Sequence, residues 1–194
     1  MRLFAAIDLP ESVSAEVRAW WAHAGSLLDP SEWRDVPPRN WHLTLAFYGD
    51  VDGARVNDLC EALDECTLQQ APFSLRATGF GAFPNMLKPR VLWLGVEDAG
   101  GDGSLKALSR CCRQAGRATV RRRESGSRES PFKGHITLAR GRGAPLPLKA
   151  EVLDSVEAMP ESIWTAERMT LYQSILAPGG AQYRVVEEFE FRGS

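Results

Sequence analysis

The sequence predicts an α+β protein with two similar lobes, in which two antiparallel sheets are flanked by helices and enclose a central cleft. Three observations support this fold class. Strand-like and helix-like segments alternate along the 194 residues, three sequence landmarks recur about 90 residues apart in the same order, and the middle landmark is a His-x-Thr-Leu strand in both halves. The length and the 44% apolar composition suit one domain, which we place at residues 1–194.

The first half predicts the order strand, helix, strand, helix, strand. Apolar residues spaced three or four apart indicate the helices, and short apolar runs that end at Gly or Pro indicate the strands. The predicted elements are a strand at 2–9, a helix from Pro10 to about Ala24, a loop at 29–40, a strand at 41–48, a helix at about 54–68 and a strand at 73–80.

The second half repeats this order. The predicted elements are a strand at 90–96, a helix from Ser104 to about Ala115, a strand at 132–139, a short helix near 148–156, and strands near 164–175 and 183–191. Residues 2–7 resemble residues 90–95, His42-Leu-Thr-Leu-Ala matches His135-Ile-Thr-Leu-Ala, and 73–80 resembles 164–171. Because the three matches keep their order and nearly their spacing, we interpret the chain as a duplication.

The repeated His-x-Thr-Leu motif predicts where the functional groups lie. Side chains alternate between the two faces of a strand, so His42 and Thr44 share one face, as do His135 and Thr137. The intervening apolar residues face the core on the other side. If the two halves pack about a pseudo-two-fold axis, two imidazoles and two hydroxyls face each other across the cleft.

This set of groups suits phosphoryl chemistry. A neutral imidazole can accept a proton from water while a protonated imidazole donates one to a leaving oxygen, and a pKa near 6.5 keeps both forms available at neutral pH. Threonine hydroxyls can donate to the non-bridging phosphate oxygens. The chain has only three histidines, His23 being the third, so we expect neither a metal nor a cofactor.

Charge and composition limit the classes of partner and the compartment that we expect for this protein. The formal charge of −2 argues against a protein that coats nucleic acid, yet residues 110–142 carry ten basic and two acidic side chains. This stretch has two interpretations that stay open: a basic loop that steers the end of a nucleic acid, or a solvated loop with no such role. No apolar run approaches the 20 or so residues that span a bilayer, so we expect a cytoplasmic protein without membrane contact. The four cysteines suggest no disulfide framework and are expected to be reduced.

Five segments carry a resemblance to a known family. The sequence resembles the 2H phosphoesterase superfamily, specifically its RNA 2′,3′-cyclic phosphodiesterase branch, historically called 2′-5′ RNA ligase. The matching segments are 2–10, 42–49, 90–95, 131–140 and 171–174, with Gly180 and Tyr183 near the end. Two positions depart from the usual pattern: Gly134, where proline commonly precedes the second histidine, and Tyr48, commonly leucine.

The resemblance implies a function and roles that the residues alone do not rank. It implies metal-independent hydrolysis of RNA-type 2′,3′-cyclic phosphate ends to 2′-phosphates by a monomer. His42 would be the proton donor to the 3′-oxygen and His135 the proton acceptor that activates water, with Thr44 and Thr137 binding phosphate.

Four further residues are candidates for substrate binding. Arg140 could hold a phosphate, although strict alternation places it on the face opposite His135. Phe47 occupies the same position after the first motif and could stack on a base. Tyr48 shares the parity of His42 and could edge the cleft, and Tyr172 is a candidate by family position.

Two alternatives to this function remain. The first is another activity of the same fold, namely 2′,5′-phosphodiesterase or 2′-5′ RNA ligase activity. The second is a non-catalytic module that binds RNA ends. The first alternative would act on a different linkage and give a different product from the cyclic phosphodiesterase. The second would bind RNA without turnover.

Overall fold

The computed structural model describes residues 1–120, 131–144, 147–156, 161–177 and 180–193. Within these ranges the chain forms nine strands and four α-helices. They are β1 (Arg2–Asp8), α1 (Glu11–Ser26), β2 (Trp33–Asp35), β3 (His42–Asp50), α2 (Val56–Leu68), β4 (Phe73–Phe83), β5 (Val91–Asp98), α3 (Ser104–Thr119), β6 (His135–Gly141), α4 (Ala150–Ser155), β7 (Ile163–Ala166), β8 (Arg168–Ala177) and β9 (Gly180–Glu190). Strand β2 lies in the predicted loop 29–40, and much of the Arg-rich stretch, residues 121–130, lies outside the described residues.

The strands form one curled antiparallel sheet in the order β7-β4-β5-β6-β3-β1-β8-β9, with β2 paired to β6. The α+β prediction is confirmed. The two sheets that the sequence predicts form one continuous sheet. They are joined where β3 pairs with β6, through the single residue pair Leu43 and Ile136. The strands that carry the two motifs therefore lie side by side at the centre of the molecule.

The strand order is symmetric about this central pair, as a duplication requires. Strands β1 and β5, which carry the first repeated landmark, flank the central strands on either side, and β8 and β4 follow them outward. The third strand of each repeat is exchanged between lobes, because β4 pairs with β5 and β8 pairs with β1. This exchange ties the two lobes together.

The helices cover the outer face of the sheet. In α1, Val13, Val17, Trp21 and Ala24 are buried, and the Trp21 ring stacks on Phe80 of β4 at a centroid distance of 6.0 Å. Helices α2 and α3 pack against each other. Helix α2 also contacts β9 and helix α3 contacts β3, which both belong to the half of the sheet that does not contain β4. The concave face of the sheet is left for the cleft. No helix in the described ranges is long and apolar enough to cross a membrane.

The expectation that all cysteines are reduced was wrong for two of them. Cys66 of α2 and Cys111 of α3 form a disulfide with their Cα atoms 5.8 Å apart, while Cys60 and Cys112 are free. The two half-cystines are 45 residues apart in the chain and approach only because α2 packs against α3. Their sequence spacing carries no sign of this pairing.

Candidate active site

His42 and His135 occupy equivalent positions, each as the first residue of a central strand. The Nδ1 atom of His42 lies 2.7 Å from the carbonyl oxygen of Asn40, and Nδ1 of His135 lies 2.7 Å from that of Lys133. Because a carbonyl oxygen only accepts, Nδ1 is the donor in both rings. Each Nε2 is therefore the nitrogen that accepts a proton when the ring is neutral and donates one when it is charged.

The central pairing brings the two motifs together. Leu43 and Ile136 are paired in antiparallel register and fully buried, so the register places His42 beside Thr137 and Thr44 beside His135. Facing positions of such a pair have Cβ atoms about 5 Å apart. The four polar side chains are partly buried and lie on the face opposite the core.

A β-bulge interrupts the alternation in each central strand. In β3, the pairing with β1 moves from Thr44 to Ala46 and skips Leu45. In β6, the pairing with β5 moves from Thr137 to Ala139 and skips Leu138. A bulge inserts one residue into a strand, so the side chains that directly follow it change face. The two bulges are 93 residues apart, as are the two histidines, so the duplication includes them.

The bulge in β6 overturns the predicted placement of Arg140. Strict alternation placed it opposite His135, but its charge acts on both His42 and His135 and on the Tyr183 hydroxyl. The side chain is exposed and forms no ion pair with the described residues. Arg140 is therefore a cation available to an anion held between the two imidazoles.

The bulge at Leu45 brings Phe47 to the face of His42, and the pairing of β3 with β1 shifts a second time at Tyr48, which is skipped between Phe47 and Gly49. Phe47 is 66% exposed, and its ring lies 5.6 Å from that of Phe4, which in turn lies 4.8 Å from His42. The prediction that Tyr48 edges the cleft was wrong. Its hydroxyl donates to the carbonyl of Cys112 in α3 at 3.2 Å, on the core side of the sheet. Tyr48 therefore anchors a helix, and Phe47 takes the place beside the site.

A cavity of about 460 Å³ adjoins His42. Two tyrosine rings line it: Tyr172, and Tyr183, whose edge meets the His42 ring at 5.1 Å. The Tyr172 hydroxyl donates to the Asp8 carboxylate at 2.6 Å, and that of Thr170 donates to it at 2.9 Å. Burial, and then the Asp8 bond, raise the pKa of Tyr172, so its hydroxyl remains a donor. The structure thus brings Tyr172 to the cleft.

Asp8 is a site residue that the sequence reasoning missed. It is the last residue of β1 and lies opposite His42, the first residue of β3, in the antiparallel pairing of these strands. The Asp8 charge therefore raises the pKa of the His42 imidazole. The available signal was an acidic residue at the end of an apolar strand. In the second repeat the corresponding strand ends with Glu97 and Asp98, but its pairing places Gly95 opposite His135, so the duplication does not single out Asp8.

The side of the cleft next to His135 is lined differently. The rings of Phe83 and Trp93 lie 4.9 and 6.2 Å from the His135 ring, and the Lys133 ammonium lies 4.2 Å from the Trp93 centroid. Gly134 is needed here, since a Cβ at this position would clash with the carbonyl oxygen of Val96. The departure from proline is therefore accommodated by a close approach to β5.

Burial lowers the pKa of both histidines. For His42 it lowers the pKa to about 4, against the opposing effects of the Asn40 carbonyl and Asp8, while Arg140 and His135 lower it further. For His135 burial again dominates, opposed by the Lys133 carbonyl, and the charges of Arg140 and Lys133 lower the pKa further. The acidic group Asp8 acts on His42 and not on His135, whereas the basic group Lys133 acts on His135 and not on His42. The two imidazoles therefore differ in their electrostatic surroundings.

The groups in the cleft can bind an anion and move protons. Imidazoles, hydroxyls and a guanidinium meet at the central strands, with aromatic rings on either side. No three His, Cys, Asp or Glu side chains in the described parts of the chain are placed to hold a metal ion. This arrangement supports acid–base chemistry on a phosphorylated ligand.

Comparison with known proteins identifies the family. The family model for LigT-like phosphoesterases matches residues 7–93. A relative from Thermus thermophilus, named RNA 2′,3′-cyclic phosphodiesterase, is 38% identical over 197 residues, which cover all of this chain and 91% of the relative. A solved structure from the same organism has a TM-score of 0.80 at 34% identity and covers 100% of this chain and 99% of its own. E. coli LigT complexed with 3′-AMP has a TM-score of 0.73 at 28% identity, with coverage of 98% and 97%. The chain belongs to the LigT-like phosphoesterases of the 2H superfamily.

Proposed function

We propose that this protein hydrolyses RNA 2′,3′-cyclic phosphate ends to 2′-phosphates without a metal ion. The observation that carries the proposal is the central strand pair, which brings His42 and His135 together with Thr44 and Thr137 on one face. The relatives named RNA 2′,3′-cyclic phosphodiesterase and the 3′-AMP complex of E. coli LigT support the choice of substrate.

The reaction follows from one imidazole acting as a base and the other as an acid. His135 accepts a proton through Nε2 from a water molecule, whose oxygen attacks the phosphorus and forms a new P–O bond. The bond between phosphorus and the 3′-oxygen breaks, and His42 donates the proton that this oxygen requires. The product is a 2′-phosphate monoester with a free 3′-hydroxyl.

Two charges near the rings act in the direction that this assignment needs, although burial outweighs the effect of Asp8 and leaves His42 with a pKa of about 4. Asp8 beside His42 favours the protonated ring that a donor needs, and Lys133 near His135 favours the neutral ring that an acceptor needs. A phosphate anion between the rings offsets the burial that lowers both pKa values.

Arg140 is expected to stabilise the charge that builds up on the non-bridging phosphate oxygens. Loss of one such donor typically lowers kcat by about 100-fold or more, so we expect a loss of about 100-fold in kcat/KM for Arg140→Ala on adenosine 2′,3′-cyclic phosphate. Arg140→Lys retains a charge but not the two-point geometry and should recover part of the rate. Steady-state kinetics on both variants measures this, and an Arg140→Ala enzyme within threefold of wild type contradicts the role.

The product identifies the activity. Adenosine 2′,3′-cyclic phosphate is incubated with the protein and EDTA, and chromatography separates the 2′-phosphate from the 3′-phosphate. We expect the 2′-phosphate alone. Formation of the 3′-phosphate, or loss of turnover in EDTA, refutes the proposal.

The same assay distinguishes the alternatives. Faster cleavage of a 2′,5′-linked dinucleotide, or joining of a 2′,3′-cyclic phosphate end to a 5′-hydroxyl end, indicates the related phosphodiesterase or ligase activity. Binding of an RNA end with no turnover of any of these substrates indicates a non-catalytic module.

A further inference from the structure

One face of helix α3 carries a row of basic side chains. Lys106, Arg110, Arg113 and Arg117 follow one another at intervals of four, three and four residues, which places them on the same side of a helix. The opposite side is buried through Leu105, Leu108, Cys112 and Ala115. The row extends for about 16 Å at 1.5 Å per residue, and the helix contains no acidic residue.

The first three members of this row have no charged partner in the described parts of the chain. None of Lys106, Arg110 and Arg113 appears in an ion pair there, although Arg18 and Arg55 pair with Glu11 and Asp58, each at 2.8 Å. Like charges three or four residues apart repel and slightly destabilise a helix. Lys106, Arg110 and Arg113 therefore repel one another without a charged partner among the described residues.

A groove joins this row to the cleft. A cavity of about 370 Å³ is lined by Lys106, Arg110, Arg113 and Phe132. A neighbouring cavity of about 750 Å³ shares Lys106 and Phe132 with it and extends to Trp93 and Lys133. The Trp93 ring lies 6.2 Å from that of His135. The two cavities thus lead from the Trp93 ring, beside the imidazole, to the middle of α3.

Basic side chains outnumber acidic ones in the lining of the two cavities. Glu97 pairs with Arg76 at 3.1 Å, and the Asp98 carboxylate accepts the backbone N–H of Leu105 at 2.7 Å. Aromatic rings accompany the cations, since Arg113 lies 5.4 Å from the Phe132 centroid and Lys133 lies over Trp93. Cations interleaved with aromatic rings are the usual surface for single-stranded nucleic acid.

We propose that the basic face of α3, formed by Lys106, Arg110 and Arg113, binds the phosphate backbone of an RNA strand whose cyclic phosphate end occupies the cleft. This inference rests on the proposed function and extends it from a terminal nucleotide to a chain. The groove directs the strand past Trp93 and Phe132 onto the helix. An oligonucleotide is therefore a better substrate than a nucleoside cyclic phosphate, by an amount that depends on salt.

The test compares RNA binding with turnover of the small substrate. The variant Lys106→Glu/Arg110→Glu reverses two exposed charges that touch neither histidine. The binding probe is a fluorescent single-stranded RNA of about 12 nucleotides that ends in a 3′-phosphate and is measured by anisotropy over a salt series. We expect the variant to raise Kd at least about tenfold in 50 mM salt. The slope of log K against log salt should fall by about 1.4, as expected for two lost contacts to a single strand.

Turnover of adenosine 2′,3′-cyclic phosphate should stay within twofold of wild type, which also shows that the variant is folded. For the same RNA carrying a 2′,3′-cyclic phosphate end, kcat/KM should fall about tenfold or more. The matched control is Arg18→Glu/Arg55→Glu, which changes the net charge by the same amount on α1 and before α2. This control should bind RNA as the wild type does.

Each result decides one of the two proposals. If Lys106→Glu/Arg110→Glu binds RNA as tightly as the wild type, or no more weakly than the control, the binding surface is refuted while the proposed function stands. If the wild type turns over neither cyclic substrate, the proposed function fails. The anisotropy comparison still decides whether α3 binds RNA.

Discussion

Replacing His42 or His135 with alanine is expected to lower kcat/KM for adenosine 2′,3′-cyclic phosphate by about 1000-fold in each case. Each imidazole transfers one proton in the same step, and a positioned acid or base contributes about 100- to 10,000-fold. The matched control is His23→Ala, the remaining histidine, which is exposed on α1 and should retain wild-type activity. Steady-state kinetics on the three variants, with thermal melts to verify folding, tests this expectation.

The double variant His42→Ala/His135→Ala tests whether the two histidines act in one step, and a modified substrate tests which of them donates the proton. If the two histidines act as a unit, removing both costs little more than removing either. A 2′,3′-cyclic substrate with sulfur at the 3′-bridging position releases a thiolate that needs no proton. On it the His42→Ala variant should recover most of its activity and the His135→Ala variant should not. Recovery by His135→Ala alone would reverse the assignment of donor and acceptor.

The sequence predicted the fold because the hydrophobic pattern and the duplication both appear in it. The pattern recovered most strands and all four helices, and the repeat of His-x-Thr-Leu indicated which strands meet. It could not show that β4 and β8 are exchanged between lobes, since strand pairing depends on contacts far apart in the chain. The disulfide between Cys66 and Cys111 was missed for the same reason.

The bulges explain the errors at the site itself. The bulges fall at Leu45-Ala46 and Leu138-Ala139, two pairs of apolar residues. Two consecutive apolar residues can mark either the end of a regular strand or one inserted residue, and the sequence does not distinguish these cases. Counting alternate positions therefore placed Arg140 on the wrong face and Tyr48 in the cleft. A bulge beside an active site redirects the next side chain, and here it directs Arg140 and Phe47 toward the imidazoles.

The duplication also explains why a symmetric motif can perform an asymmetric reaction. The two histidines share their strand position and their Nδ1 bond to the carbonyl two residues earlier. Hydrolysis nevertheless needs one acid and one base. The difference comes from residues outside the repeat, namely Asp8 at the end of β1 and Lys133 before β6, which change the charge around each ring without moving it.

Replacing Asp8 with asparagine tests this origin of the asymmetry. Burial already lowers the pKa of His42 to about 4, Arg140 and His135 lower it further, and Asp8 is the acidic side chain that raises it. Without that carboxylate the pKa of His42 falls again, by about one unit for the loss of a neighbouring opposite charge. A donor must be protonated, so at any pH above this pKa the active fraction falls about tenfold for each unit by which the pKa is lowered.

The pH profile of kcat/KM, which reports the free enzyme, should therefore show an optimum below about pH 6.5 in the wild type, since both histidine pKa values are lowered. In Asp8→Asn a tenfold smaller fraction of His42 is protonated at pH values above its pKa, so activity at pH 7 should fall about tenfold. Asp8→Glu keeps the charge and should retain most of the wild-type activity at pH 7. A loss of the same size in Asp8→Asn on the 3′-thio substrate, whose leaving group needs no proton, would show that Asp8 supports the structure of the site through Thr170 and Tyr172 and does not set the charge of His42.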